Sequence, residues 1–346
     1  MIAKFIRICA VLLFCLAGTG MQSGCNHKVD GSGTAVQPGE FLFCHWNVEN
    51  FFDDKADKRS KTDMEYDSWF ANNKQALELK LDKLTEALLK MNNGRGPDIL
   101  CVCEVESVRA AELLKDALNK KVDAGSQYQN VLMKEVSAGR HIAPAIITRL
   151  PVLPNKTRLL EKTMRVLEGH LVVNGKELTI FASHWTSRIQ ATGEQGREKY
   201  ADAIYREYVK LHAADPKAAV IVCGDFNDTP QDVSVVKHLH GSSNSGDVQQ
   251  NRADPLLFNL FGDKDAKGFG THFYNSKWFI FDQILVSPAM LSDGGWTCDV
   301  ASAQTFNSLH KPTDAQKRPW RFGNENEKGA RGYSDHFPVI VKLRAN

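Results

Sequence analysis

Several things are scarce in this chain, and each scarcity excludes a class. The apolar run at its start, Ile8 to Ala17, is too short to cross a membrane, which takes about 20 residues. No Cys/His spacing suits a structural zinc, and Asp53, Asp54 and Asp57 lack the spacing of a calcium loop. There is no internal repeat and no low-complexity block. Charge of one sign is also wanting. If a leader carrying Lys4 and Arg7 is removed, 41 of the 43 basic residues remain against 41 acidic ones, a net charge of zero. A protein that grips nucleic acid by counterion release shows a basic excess, so any such binding here rests on a local patch, or the substrate is small.

The bulk of the chain is that of an ordinary globular protein, with 42% hydrophobic and 24% charged residues over 346 positions. Lys4, Arg7 and the short apolar run have the form of a signal peptide over residues 1–24. Gln22-Ser23-Gly24-Cys25 resembles a bacterial lipoprotein signal, with Gln22 where a leucine is usual. That resemblance implies export and acylation of Cys25, with 25–40 as a flexible tether holding the body to a membrane. Five further cysteines, Cys44, Cys101, Cys103, Cys223 and Cys298, are odd in number. Four of them sit in apolar runs, so they read as buried thiols and not as a disulfide framework.

Residues 41–346 show no linker-like break and are expected to form one domain. Phe41–Asn47 reads as a first strand, and the charge-dense 53–68 as an exposed loop. Leu77, Leu81, Leu84, Leu88 and Met91 recur at helical spacing, giving an amphipathic helix over 72–91 that Asn92-Asn93-Gly94 ends. Ile99–Cys103 is a continuous apolar run, as in a strand covered on both faces. A helix over 110–120, strands near 128–134, 143–148 and 178–182, and a helix over 196–213 follow. Then come a strand over 218–223, a polar surface excursion at 241–254, one strand over 278–286, and a last strand near 339–343. Strands and helices mix without strict alternation, which favours an α/β sandwich of sheets flanked by helices.

The chemistry sits where apolar runs stop. Asn47 and Glu49 follow the first strand, Glu104 follows Cys103, and His184 follows the run ending at Ala182. Asp225 and Asn227 stand in Gly224-Asp225-Phe226-Asn227, Asp282 stands inside an apolar run, and Asp335-His336 precedes Val339. A carboxylate in such a place is costly to bury unless paired or bound to metal. Each alone suits a cap or turn; six strand-end clusters together point to a metal-assisted phosphoester hydrolase.

Gly224-Asp225-Phe226-Asn227 and Ser334-Asp335-His336, in that order and spacing, resemble the endonuclease/exonuclease/phosphatase superfamily. That group includes DNase I-like nucleases, AP endonucleases, neutral sphingomyelinases and inositol polyphosphate phosphatases. The resemblance spans 41–343 and implies a single-domain four-layered α/β/β/α sandwich with its site at one edge between the sheets. By the same resemblance Glu104 is the main Mg²⁺ ligand. Asn47 and Glu49 are the first-strand pair near the metal, with Glu49 where AP endonucleases carry a shorter Asp, and Asp335 completes the metal environment. Asp225 orients or deprotonates the attacking water, and Asn227 donates to a phosphate oxygen. His336 faces the scissile phosphate, and Asp282 fixes its ring. Mn²⁺ or Ca²⁺ in place of Mg²⁺ stays open.

His184, in Ser183-His184-Trp185, resembles a second catalytic imidazole of the DNase I-like and sphingomyelinase branches. The carboxylate that buttresses it in the secreted DNases is missing from Arg140–Ala145, which shifts the expected role of His184 toward binding phosphate. Arg188 and Arg197 are candidate phosphate clamps. Lys277-Trp278 is a candidate stacking pair, with a core tryptophan as the competing reading.

The function expected first is an exported, Mg²⁺-dependent endonuclease-like phosphodiesterase acting on nucleic acid, as a monomer. The alternative is a phosphatase or phospholipase C-type enzyme on small or lipid phosphoesters. The lipid option is weakened because no long hydrophobic hairpin stands near 287–300. A third class, a non-catalytic surface binding module, would predict loss of Glu104, Asp225, Asn227 or His336, and all four are present.

Overall fold

The computed structural model describes residues 33–57, 61–136, 139–250, 252–292 and 295–346. The expected signal peptide and Cys25 lie outside the described residues. Two large sheets form the centre. One has six strands in the order Trp296–Thr305, Val339–Ala345, Glu40–Phe51, Ile99–Val105, Ala143–Thr148, Asn130–Met133. The other has seven, in the order Arg158–Leu159, Val166–Val173, Lys176–His184, Ala219–Asp225, Asp282–Val286, Leu257–Asn259, Gly241–Ser242.

Side-chain parity explains the layering. Phe43, Ile99, Cys101 and Val341 of the first sheet pack against Ile180, Ala182, Ile221, Cys223 and Ile284 of the second. The alternate residues Cys44, Trp46, Val48, Leu100 and Val102 face outward onto Leu77, Leu84, Leu88, Leu114 and Leu118, from helices Lys74–Leu88 and Val108–Asn119. On the far side, Phe181, Val220, Val222 and Leu285 meet Tyr200, Ile204 and Tyr208 of helix Gly193–Ala214. Successive strand residues point to opposite faces, so runs apolar at every position are covered on both. The result is one α/β/β/α domain.

The same parity aims the site. Continuing the inward series Phe43, His45 gives Asn47; Ile180, Ala182 gives His184; Ile221, Cys223 gives Asp225; and Ile284 leads back to Asp282. The parallel pairs Glu40–Phe51 with Ile99–Val105, and Lys176–His184 with Ala219–Asp225, run side by side to the same edge. Gly224 permits that closeness: a Cβ there would lie 2.4 Å from the Ser183 carbonyl oxygen.

Several expectations are corrected. Residues 53–68 are not all an exposed loop: Asp53, Asp63 and Asp67 are buried, and a helix Met64–Asn72 begins there. The Ser107 hydroxyl donates to Asp53, and Arg140 pairs with Asp63 at 2.7 Å. The run 278–286 is two strands: Lys277–Phe279 pairs with His272–Tyr274 in a separate ribbon, and Asp282–Val286 joins the large sheet. The polar excursion at 241–254 contributes the edge strand Gly241–Ser242. Of the span 25–40 the described part begins at residue 33, where the buried Thr34 hydroxyl accepts from the Asn92 backbone N–H at 2.8 Å. Cys44, Cys101, Cys103 and Cys223 are buried free thiols.

Candidate active site

The strand ends open into a cleft of about 1000 Å³. Glu104, His184, Asp225, Asn227, Asp335 and His336 line it. The two first-sheet strands break register just before it, between Asn47 and Phe51 and between Val102 and Val105. Glu49 (φ 52°), Asn50 (φ 53°) and Glu104 (φ 64°) take left-handed backbone there. Such bulges re-aim side chains, and this one turns Glu104 out of its strand parity and into the cleft.

Asn47 is the hub. Its side-chain amide donates to Glu104 Oε1 at 3.2 Å and to Asp225 Oδ2 at 3.0 Å, bridging the two sheets. The Asn50 backbone N–H donates to Glu104 Oε2 at 2.8 Å. Asp225 Oδ1 accepts from the Asn227 backbone N–H at 2.9 Å. Burial pushes the Asp225 acid up to about 6, against the pull of His336. One Asn227 amide N–H donates to the Trp185 carbonyl at 3.3 Å, which leaves its second N–H for the cleft.

His336 Nδ1 lies 2.7 Å from Asp282 Oδ2, and its Nε2 lies 3.8 Å from Asp225 Oδ2. Burial opposes charge on this ring, but Asp282 and Asp225 outweigh it and hold His336 well above the ordinary histidine range. Asp282, fully buried, is held below the usual carboxylate range by His336 despite its burial. Behind it lies His45, also fully buried, with Nε2 3.4 Å from Asp282 Oδ1. The Trp46 indole N–H donates to the His336 carbonyl at 2.9 Å, and Ser334 Oγ donates to the Asn47 carbonyl at 2.6 Å. The last loop is thereby pinned to the first strand.

His184 presents Nε2 to Glu104 and Asp225, 3.7 Å from each. Its Nδ1 faces not a carboxylate but the Arg165 guanidinium, at 3.3 Å. Burial first, then Arg165, pushes its pKa well below the ordinary value, so the ring is neutral and its proton sits on Nε2. The sequence held no signal for Arg165, which lies 19 residues away on the neighbouring strand edge.

Four expected residues lie elsewhere. Glu49 is withdrawn from the metal-ligand set. Its carboxylate accepts from the Phe322 backbone N–H at 2.7 Å, from that of Gly323 at 3.2 Å, and from Arg321 Nε at 3.0 Å. Burial and the nearby Asp335 charge push Glu49 up to about 7. Arg197 is no phosphate clamp: it is buried, with Nε 2.7 Å from Asp228 Oδ2. Arg188 pairs with Asp228 at 2.8 Å and with Asp232, outside the cleft lining. Trp278 packs against Phe337 and Phe273 as a core ring.

Besides Arg165, two residues were missed. Lys80 is fully buried and donates to the Val48 carbonyl at 2.7 Å and the Glu49 carbonyl at 2.9 Å, a fixed cation behind the bulge. A lysine inside the Leu77–Leu84 stripe was the available signal. His272 stacks on His336, ring centroids 4.4 Å apart.

A family model described as the endonuclease/exonuclease/phosphatase family matches residues 43–345. The chain belongs to this family. No curated protein sequence matches it. Among solved structures it is similar to a family member from Bacteroides thetaiotaomicron, at 16% identity and TM-score 0.54 over 89% of this chain and 98% of that one. It is also similar to D. rerio TDP2 complexed with single strand DNA product, at 16% identity and TM-score 0.52 over 88% and 99%. A third is the mannosyl-6-phosphatase of Bacteroides thetaiotaomicron, at 17% identity and TM-score 0.51 over 88% and 99%. The family consists of phosphoric ester hydrolases, mostly metal-dependent, which agrees with the donor set in this cleft. At these identities the likeness carries the fold alone.

Proposed function

We propose that the chain is an endonuclease-like, Mg²⁺-dependent phosphodiesterase acting on nucleic acid. The observation that carries hydrolysis is the Asn47 amide tying Glu104 of one sheet to Asp225 of the other, with His336 held charged alongside. Glu104 and Asp335 offer the hard oxygen donors that Mg²⁺ takes, completed by water. When bound, the ion neutralises charge on the phosphate oxygens. Asp225, pushed toward neutral pH, accepts a proton from the attacking water. The charged Nε2–H of His336, the Nε2–H of His184 and the free Asn227 N–H meet the charge that builds on the phosphoryl oxygens.

Nucleic acid is favoured by the walls. Arg165 and Lys311 bring positive charge with no ion pair among the described residues, while Arg140, Arg318 and Arg321 in the same lining are paired with Asp63, Asp314 and Glu49. Phe273, Tyr274 and Trp320 supply rings on which bases stack, with Tyr274 54% exposed. Action outside the cytoplasm, from a membrane anchor at Cys25, rests on the first 25 residues alone. The second reading is a phosphatase. Among the described residues no carboxylate pairs with Arg165, so an uncompensated guanidinium is left for the extra charge of a terminal phosphate.

The deciding experiment incubates residues 33–346 with supercoiled plasmid, single-stranded DNA and a sugar phosphate, in Mg²⁺ and in EDTA, with Asp225→Ala as control. Mg²⁺-dependent cleavage of DNA, lost in the variant, supports the nuclease. Phosphate release from the sugar phosphate alone transfers the site to the second reading. Activity on none of them points to a binding module.

A further inference from the structure

The ribbon His272–Tyr274 and Lys277–Phe279 stands over the His336 side of the cleft, and His272 bridges to His336 in antiparallel register. Their rings stack at an interplanar angle of 29°. One ring nitrogen of each and a carboxylate oxygen of Asp335 all lie within 4.8 Å of one another. His272 Nδ1 is 3.0 Å from the Asp335 carbonyl oxygen, which requires the proton on Nδ1 and leaves Nε2 a lone pair. His336 Nδ1 is likewise spent on Asp282, leaving its Nε2.

Metal-binding histidines have this arrangement, with the ring nitrogen away from the ion donating to a carboxylate or a backbone carbonyl that fixes ring and tautomer. Two imidazoles and one carboxylate form a donor set for borderline cations such as Zn²⁺, Co²⁺ and Ni²⁺. Mg²⁺ and Ca²⁺ prefer oxygen alone.

We propose that His272, Asp335 and His336 form a second cation site, selective for Zn²⁺-class ions, that shares Asp335 with the Glu104 position. Binding replaces the proton on His336 Nε2, which leaves to solvent, and occupies the nitrogen that would face the phosphate. Zn²⁺ is therefore an inhibitor at this site. That last consequence rests on the proposed hydrolase reading; the binding itself rests on the geometry.

The test titrates Co²⁺ into residues 33–346 in excess Mg²⁺, reading visible ligand-field absorption, and then displaces it with Zn²⁺. His272→Gln, Asp335→Asn and Glu104→Gln are compared, each checked for a native thermal melt. One Co²⁺ per chain, displaced by Zn²⁺ and not by Mg²⁺, is expected. Its affinity falls at least tenfold in His272→Gln and Asp335→Asn and is kept in Glu104→Gln. Unchanged Co²⁺ binding in folded His272→Gln overturns the proposal, as does loss in Glu104→Gln alone or no binding over excess Mg²⁺. A chain that binds Co²⁺ in this pattern but hydrolyses no phosphoester strikes the functional reading and leaves the site standing.

Discussion

His45 and Asp282 face each other in the closed interior between the sheets, Nε2 3.4 Å from Oδ1, with no solvent at either. Asp282 thus lies between two imidazoles, His45 behind and His336 in front. Burial pulls His45 down, but Asp282 and Cys223 outweigh it and push the ring up to about 9. A histidine raised from 6.5 contributes stability that is complete below pH 6.5 and lost as pH rises through 9. His45→Gln removes one partner of a buried pair and is expected to cost about 3–5 kcal/mol. Urea unfolding of both chains at pH 6.5 and 9 checks this: the wild type loses more stability over the interval. Equal losses contradict the charged pair.

In the proposed hydrolase, Asp225 as base sets the acid side of the pH profile. Its acid form persists to about pH 6, and only the ionised carboxylate accepts a proton. The rate, as kcat/KM on a chromogenic diester at fixed Mg²⁺, therefore rises through pH 6 and not near 4. Asp225→Asn keeps the shape but not the base, and is expected to lose about 10²–10⁴-fold. A variant within tenfold of wild type removes Asp225 from the role of base.

Arg165 separates the two substrate readings. Replacing it with Met takes away a charge that depresses His184, so the His184 pKa rises, readable by imidazole NMR. A charge-assisted hydrogen bond is worth roughly 1.5–3 kcal/mol, so hydrolysis of a phosphomonoester falls about tenfold or more. Diester hydrolysis, with one charge fewer to bind, falls less. Equal losses on both substrates show that Arg165 acts only by orienting His184.

Arg197 and Arg188 share Asp228 but differ in depth. Arg197→Ala takes the buried cation from Asp228, leaving it Arg188 and Ser234, and is expected to cost about 3 kcal/mol. Arg188, 39% exposed in its side chain, is expected to cost about 1 kcal/mol or less on the same change. Thermal melts of the two variants rank them. A larger loss at Arg188 reverses the assignment.

Where many of the candidate side chains stand was readable because strand parity is a strict rule. Asn47, His184, Asp225 and Asp282 stand at positions the alternation dictates, and their polar types mark strand ends. Glu104 was chosen by type, but its aim depends on a left-handed turn that no residue of Cys103-Glu104-Val105 announces. Glu49 was misjudged because its partners, Arg321, Phe322 and Gly323, come about 270 residues later in a loop without pattern. Among the longer strands two also escaped notice. Val166–Val173 carries Glu168, Gly169 and His170 in mid-run, with Glu168 and His170 paired at 2.9 Å. Trp296–Thr305 is half exposed and so has little apolar alternation.

The first strand, Glu40–Phe51, pairs on one side with Ile99–Val105 and on the other with Val339–Ala345, the last strand of the chain. During synthesis the ribosome releases the Asn47 hub some three hundred residues before the strand that flanks it. Until then one edge of a strongly apolar ribbon is open, and neither His336 nor the Arg321 loop exists to meet it. A copy that stops short of the last strand holds neither the Asp335-His336 pair nor the partner strand Val339–Ala345. The nascent protein instead carries an unsealed edge that a holding chaperone, or a wrong neighbour, is free to take.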